Sequence, residues 1–164
     1  MPDSIVKEAL REVEPLGADE TVGRAARRVV ETGLPALPAV DANGKFAGIF
    51  GEREFMAALF PGYVAELSSS AMISRNMDDA IDRRLECAAE SIRDYLTKDS
   101  VLVEDDYSDT QLAELFLHHR VLVIPIATEG RVHAIVTRQD FFHALVARFV
   151  SRASGSHDVP DEVL

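Results

Sequence analysis

The chain has 164 residues, 47% of them hydrophobic and 27% charged, which suits one compact domain or two small ones sharing a core and excludes disorder throughout. A net charge of -11 argues against a general role on DNA, RNA or anionic membranes, which reward clustered Lys and Arg, but a single small nucleotide needs only a local patch of donors. The lone Cys87 can close no internal disulfide, and no Cys/His cluster stands at metal-ligand spacing, so no metal and a reducing compartment are expected.

From the N-terminus, MPDSIVKEALREVEP carries acidic residues and no apolar core, unlike a signal peptide, and apolar runs such as VLVIPIA are too short to cross a bilayer. The expected location is the cytoplasm. A first strand is predicted around Val13 to Leu16. Thr21, following Asp19 and Glu20, then opens the helix-period segment TVGRAARRVVETG, since its hydroxyl can accept from the free N–H groups of a first turn. LPALPAV reads as a buried strand, DANGK as a hairpin turn on Asn43-Gly44, KFAGIF as a second strand and EREFMAALF as a second helix that Pro61-Gly62 ends.

Residues 61–91 are too many for a structureless connection inside a compact domain. Met77, Ile81, Leu85, Ala88 and Ile92 recur there at intervals of three or four, predicting one apolar face on a further helix. Then the pattern begins again: a strand at Val101 to Val103, a cap at Ser108 with the helix SDTQLAELFLHHR, the strand VLVIPIA, the turn TEGR, the strand RVHAIV and the helix RQDFFHALVARFV. The tail SRASGSHDVPDEVL is polar and expected to fray.

Setting Pro38 on Pro125 aligns the two halves at an offset of 87, which becomes 86 after the shorter second turn. The organisation read from this is repeat one over 3–60, a helical insertion over 61–91 that covers one copy or reaches a partner subunit, repeat two over 92–150 and a flexible tail over 151–164. A unit of this size cannot easily bury its own sheet, so the copies are expected to pack on each other.

GIFGEREFM at 48–56 and AIVTRQDFF at 134–142, with the helix-strand junctions ending in Pro38 and Pro125, give the chain its resemblance to a tandem pair of CBS domains, the regulatory units named after cystathionine β-synthase. The resemblance implies an α+β (mixed α/β) fold of two β-α-β-β-α repeats packed as a pseudo-twofold pair, with the helical insertion between them. It also implies a regulatory module that binds an adenosine ligand such as AMP, ADP or ATP between the repeats and modulates a partner, with no other cofactor and with pairing into a homodimer.

In that family pattern the tail of each repeat reads Gly, two apolar residues, Thr or Ser, two residues, Asp; the Asp takes both ribose hydroxyls and the hydroxyl residue lies near ribose or phosphate. The second tail keeps Thr137 and Asp140, with Ala134 for the glycine. The first keeps Gly48 but has Gly51 and Glu54 in place of Thr and Asp. The nucleotide site is therefore assigned to Thr137, Asp140 and Ile135 with Leu34, Pro35 and Ala36 of the other copy. A second, degraded site comprises Glu54 and Gly51 with Thr97 and Val121. Thr97 holds the position of a family Thr whose counterpart in the first copy is Leu10, so Asp140 is expected to face Leu10.

Structural alternatives stand beside these assignments. Thr137 followed three residues later by Asp140 also matches a capping box, and both prolines can serve the strands alone. His118 and His119 are adjacent and diverge on a helix, His133 and His143 lack a ligand partner at metal spacing, and Arg120 and Arg138 are surface residues with the reach to touch a phosphate. No GxSxG, HExxH, P-loop or GxGxxG is present, so catalysis is not expected. The rival reading is a ligand-free dimerisation or interaction scaffold whose nucleotide sites have decayed.

Overall fold

The computed structural model describes residues 4–61 and 76–163. Among them the architecture is mixed α/β, with six α-helices and two small sheets. In chain order the elements are α1 (Ile5–Ala9), β1 (Leu10–Glu12), β2 (Leu16–Gly17), α2 (Val22–Thr32), β3 (Ala36–Val40), β4 (Phe46–Gly51), α3 (Glu52–Leu59), α4 (Met77–Asp82), β5 (Val103–Glu104), α5 (Asp109–His118), β6 (Val123–Thr128), β7 (Arg131–Thr137) and α6 (Arg138–Ser154). The chain divides into two compact bodies, one of Glu14–Ser100 with Gly130–Val132, the other of Met1–Val13, Val101–Glu129 and His133–Leu164.

The first body carries the sheet β2-β3-β4, with β2 parallel and β4 antiparallel to β3. Its central pair opposes Leu37 to Phe50, 1% and 0% exposed, which is why a continuous apolar run reads as a strand here. Thr21 caps α2 by accepting from Arg24 N at 3.3 Å. The hairpin from β3 to β4 is held by Asp41, whose Oδ1 accepts from Asn43 N at 2.8 Å and Lys45 N at 3.0 Å, an Asx turn that does the work expected of Asn43-Gly44. The second hairpin turns from β6 to β7 through Glu129, at φ 52, and Gly130.

The segment after residue 76 differs from its expectation. The spacing of Met77, Ile81, Leu85, Ala88 and Ile92 predicts one helix, but α4 stops at Asp82 and the chain continues as two 3-10 turns, Leu85–Ala89 and Ile92–Asp94. Met77 and Leu85 are 60% and 61% exposed, whereas Cys87 and Ile92 are buried. Two polar anchors explain the break: Arg84 donates to Ala58 O at the end of α3 at 3.1 and 3.2 Å, and Val22 N donates to Glu90 O at 2.8 Å. Satisfying these carbonyls and N–H groups wins over continuing the helix. Residues 62–75 of the expected insertion lie outside the described residues.

The second body carries the sheet β1-β7-β6-β5. Its core joins Ile5, Val6 and Ala9 to Leu112, Ile124, Ile126, Ala134, Val136 and Phe141. Burying Ile5 and Val6 contributes on the order of 1.5–3 kcal/mol each, enough to hold the N-terminal residues in a body otherwise built a hundred positions downstream. Asp109, first residue of α5, secures them: its carboxylate accepts from Ser4 Oγ at 2.7 Å, Ile5 N at 2.8 Å and Val6 N at 3.1 Å. The first body takes in Ser91–Leu96 in the same way, with Ile92 N donating to Glu20 O at 2.9 Å and Ser91 Oγ to Ala18 O at 3.1 Å.

Two further expectations shift. The short strands begin later than the sequence suggested, at Leu16 and Val103 rather than Val13 and Val101. The last helix runs past Val150 to Ser154, where Ala153 is 7% exposed, so part of the residues expected to fray are helical.

Candidate functional site

Both strand-to-helix junctions place a carboxylate in the first turn of a helix, three residues after its N-cap, but the two are built differently. At the β7–α6 junction Thr137 is the N-cap, and its hydroxyl accepts from Asp140 N at 2.9 Å. The same hydroxyl donates to Asp140 Oδ2 at 2.8 Å, so Thr137 fixes the carboxylate while capping the helix. Two more bonds come from Arg11 on β1: Nε to Oδ2 at 2.7 Å and Nη2 to Oδ1 at 2.9 Å, a bidentate fork. These Arg11 bonds hold the Asp140 carboxyl below the usual carboxylate range; partial burial opposes them, and the Thr137 hydroxyl and the Arg11 and His143 charges assist. The Asp140 side chain remains 22% exposed and that of Arg11 53%.

Arg11 is the site residue that sequence alignment misses. A fixed offset of 87 sets Thr97 on Leu10, but the structure pairs Leu10 with Val136 and Arg11 with Ile135, whereas Thr97 pairs with Ile49. The counterpart of Thr97 is therefore Arg11, and Asp140 meets a guanidinium rather than the expected Leu10. The signal was present: the offset of 86 that holds for the tails also holds for the strand that pairs with them.

Ile135 is fully buried in β7, Thr137 is 4% exposed, and Arg138 N donates to Leu122 O at 2.9 Å, so this junction rests on the start of its own β6. The Arg138 side chain donates to His119 O at 3.0 Å. Val121, assigned by sequence to the degraded site, packs half-buried on this same body's core. His133, which has no partner at metal-ligand spacing in the sequence, places its Nε2 3.0 Å from Asp105 Oδ1, a residue 28 positions away that also accepts from the Thr128 hydroxyl.

At the β4–α3 junction Glu54 is 7% exposed, with one hydrogen bond to each carboxylate oxygen. Its Oε2 accepts from Gly51 N at 3.0 Å, half of a capping box, and its Oε1 accepts from Thr97 Oγ1 at 2.5 Å. The pairing of Thr97 with Glu54 expected from sequence is thus present, and the extra methylene of glutamate is what lets it reach back to the N-cap. Gly51 has an extended φ of -165°, open to any residue, so its identity has a steric cause. A Cβ there would stand within 2.5 Å of Ala36 Cα and closer still to Pro35 O and Ala36 Cβ. Gly48 differs in kind: at φ +149°, its Cβ would also come 2.9 Å from Thr97 O. Ala134 pairs with Glu12 in regular antiparallel register and needs no such freedom.

Leu34, Pro35 and Ala36 lie against this first junction, where Pro35 O accepts from Glu52 N at 3.0 Å. Leu34 and Pro35 also border an apolar groove of about 620 Å³ with Val30, Phe50, Phe55 and Met56.

A model of the CBS domain matches residues 5–61 and 92–147, which is more than half of the chain and both copies of the repeat. The chain belongs to the CBS-domain family. Solved CBS-domain structures share its fold. A CBS-domain-containing protein of unknown function from Kribbella flavida is 18% identical, with 88% of this chain and 99% of that one covered and a TM-score of 0.66. A putative acetoin utilization protein, AcuB, from Vibrio cholerae is 18% identical, with 94% and 98% covered and a TM-score of 0.66. CBSX2, crystallised in complex with AMP, is 18% identical over 88% of this chain and 98% of that one, with a TM-score of 0.63. Inosine-5'-monophosphate dehydrogenase from Methanocaldococcus jannaschii is 25% identical over 160 residues, 91% of this chain but 27% of that protein. Tandem CBS domains are in general regulatory, nucleotide-binding modules rather than catalytic ones. Among the described residues no helix is long and apolar enough to cross a membrane, and no group of three or more His, Cys, Asp or Glu is placed to hold a metal ion.

Proposed function

We propose that this CBS pair is a regulatory module that binds an adenine nucleotide, AMP, ADP or ATP, at the β7–α6 junction, with the Asp140 carboxylate accepting ribose hydroxyls. The observation that carries the reading is the contrast between the two carboxylates. The Asp140 side chain is 22% exposed and held in position by Thr137 and a half-exposed Arg11, whereas Glu54 is 7% exposed, is bonded to Gly51 N and Thr97, and has a backbone packed over the place of the missing hydroxyl. A carboxylate can take two hydroxyl donors, and the positive end of a 17-residue helix favours an anionic group nearby. The complex of CBSX2 with AMP supports the ligand class by likeness.

Titration calorimetry with AMP, ADP and ATP tests this. Binding at micromolar to submillimolar concentration that Asp140→Ala abolishes and Glu54→Gln leaves intact is the expected result. No binding below millimolar concentration, or binding indifferent to Asp140→Ala, refutes it.

The second reading, a ligand-free scaffold, is favoured by one observation: Arg11 already occupies the Asp140 carboxylate. Thermal melting separates the two, since a ligand of the folded state raises the midpoint with its occupancy.

We further propose that the module pairs with a second copy through α6, where Phe142, Leu145, Val146, Phe149 and Val150 form an exposed apolar stripe at helical spacing, Phe149 being 66% exposed. Light scattering at micromolar concentration that reports a monomer overturns this.

A further inference from the structure

The lone pairs of Asp140 are nearly spoken for. A carboxylate offers about four acceptor positions, two per oxygen. Oδ2 accepts from Arg11 Nε and from the Thr137 hydroxyl, and Oδ1 accepts from Arg11 Nη2. One position is left, and a ribose brings two hydroxyl donors. A ribose that engages Asp140 through both must therefore displace at least one of these bonds, and the Arg11 side chain, 53% exposed, is freer to leave than buried Thr137, whose oxygen also accepts from Asp140 N.

The displaced guanidinium cannot go far. Arg11 sits mid-strand in β1, between Leu10 paired with Val136 and Glu12 paired with Ala134, so its Cα stays beside β7 whatever its side chain does. It needs a new anion close to the ribose. A 5'-phosphate meets that need and matches the planar fork of the guanidinium. An uncharged nucleoside offers the guanidinium no anion in exchange for the bond it gives up, and a ligand bearing a sulfonium cation adds repulsion.

We infer that Arg11 is a specificity-determining residue: paired with Asp140 in the empty state, it exchanges that carboxylate for the ligand's phosphate and so admits nucleoside phosphates in preference to nucleosides. This rests on the ribose reading of Asp140, and adds to it the phosphate as an obligatory exchange partner for Arg11.

The test is calorimetry of wild type, Arg11→Gln and Arg11→Lys with AMP and with adenosine. Wild type is expected to favour AMP by about tenfold or more, the discrimination carried by one charge-assisted bidentate contact. Arg11→Gln frees Asp140 and removes the phosphate partner, so adenosine should bind up to about fivefold tighter while AMP weakens, a change of opposite sign for the two ligands. Arg11→Lys keeps the charge without the fork and should fall between. Arg11 is half exposed, so these variants are expected to fold, which far-UV circular dichroism checks. Binding that depends on Asp140 while the AMP to adenosine ratio is unchanged in Arg11→Gln overturns this inference and leaves the nucleotide reading standing. Absence of binding to both wild type and Arg11→Gln overturns both.

Discussion

Gly51→Ala adds one carbon atom at the β4–α3 junction and asks whether the first tail has merely lost a hydroxyl or has closed over its place. The added Cβ would lie within 2.5 Å of Ala36 Cα, with Pro35 O and Ala36 Cβ nearer still. Carbon contacts are favourable near ~3.5–4.0 Å, so β3 and β4 must separate where Ala36 pairs with Gly51. No backbone strain contributes, because the φ of Gly51 is extended. Overpacking costs about 1–3 kcal/mol, and obstruction by a neighbouring strand's backbone, rather than by a side-chain tip able to swing away, puts this case near the top of that range. For a chain of this length about 3 kcal/mol lowers the melting midpoint by about 6–12 °C, read by far-UV circular dichroism. The double variant Gly51→Thr with Glu54→Asp, which restores the family's letters, should be less stable again and gain no nucleotide affinity. A Gly51→Ala protein that melts within about 2 °C of wild type would refute the steric argument.

Asp109→Asn should cost about 2–3 kcal/mol in urea unfolding near neutral pH, since it weakens three hydrogen bonds to a charged acceptor. Burial pulls the Asp109 carboxyl up, but the bonds from Ser4, Ile5 and Val6 with the Arg148 charge outweigh it, so its folded value lies below its ordinary one. Its contribution is then complete above the unfolded value and is lost as pH falls through the folded one; wild type and Asp109→Asn should converge in acid, and a gap that persists there contradicts the assignment. Thr97→Val should cost about 1.5 kcal/mol by removing the donor to buried Glu54, with Thr97→Ser close to wild type; a loss in Thr97→Ser with Thr97→Val close to wild type would show that the methyl matters and the hydroxyl does not. Phe149→Glu should turn a dimer into a monomer in light scattering with helix content unchanged.

The doubling of the chain was legible because it is written in caps and turns, whose chemistry is local. Thr21, Ser108 and Thr137 all accept from backbone N–H groups as N-caps, as their positions in the sequence suggest. The break after Asp82 was not legible, since apolar spacing runs on through residues whose fate is set by Ala58 O and Val22 N, far away in sequence. Arg11 was missed for a related reason. The lead-in strand carries no turn or cap of its own, so its alignment depends on a pairing with β7 that only the fold reveals, and a slip of one residue exchanges leucine for the guanidinium that meets Asp140. At Gly51 the letter was legible and its meaning was not, because a lost hydroxyl and a filled space look alike until Pro35 is seen above it.

The residence of β1 in a body made mostly of later residues has a consequence for synthesis. Glu12 waits for Ala134, roughly 120 positions on, and ribosomes extend chains at about 5–20 residues per second, so Ile5, Val6 and Ala9 travel on the order of ten seconds with no core to enter. Severing the chain between the repeats strands each half without the lead-in that completes it. A circular permutant that moves residues 4–13 to follow Ser154 would let the later body close as it emerges, and its refolding should outpace that of the natural order.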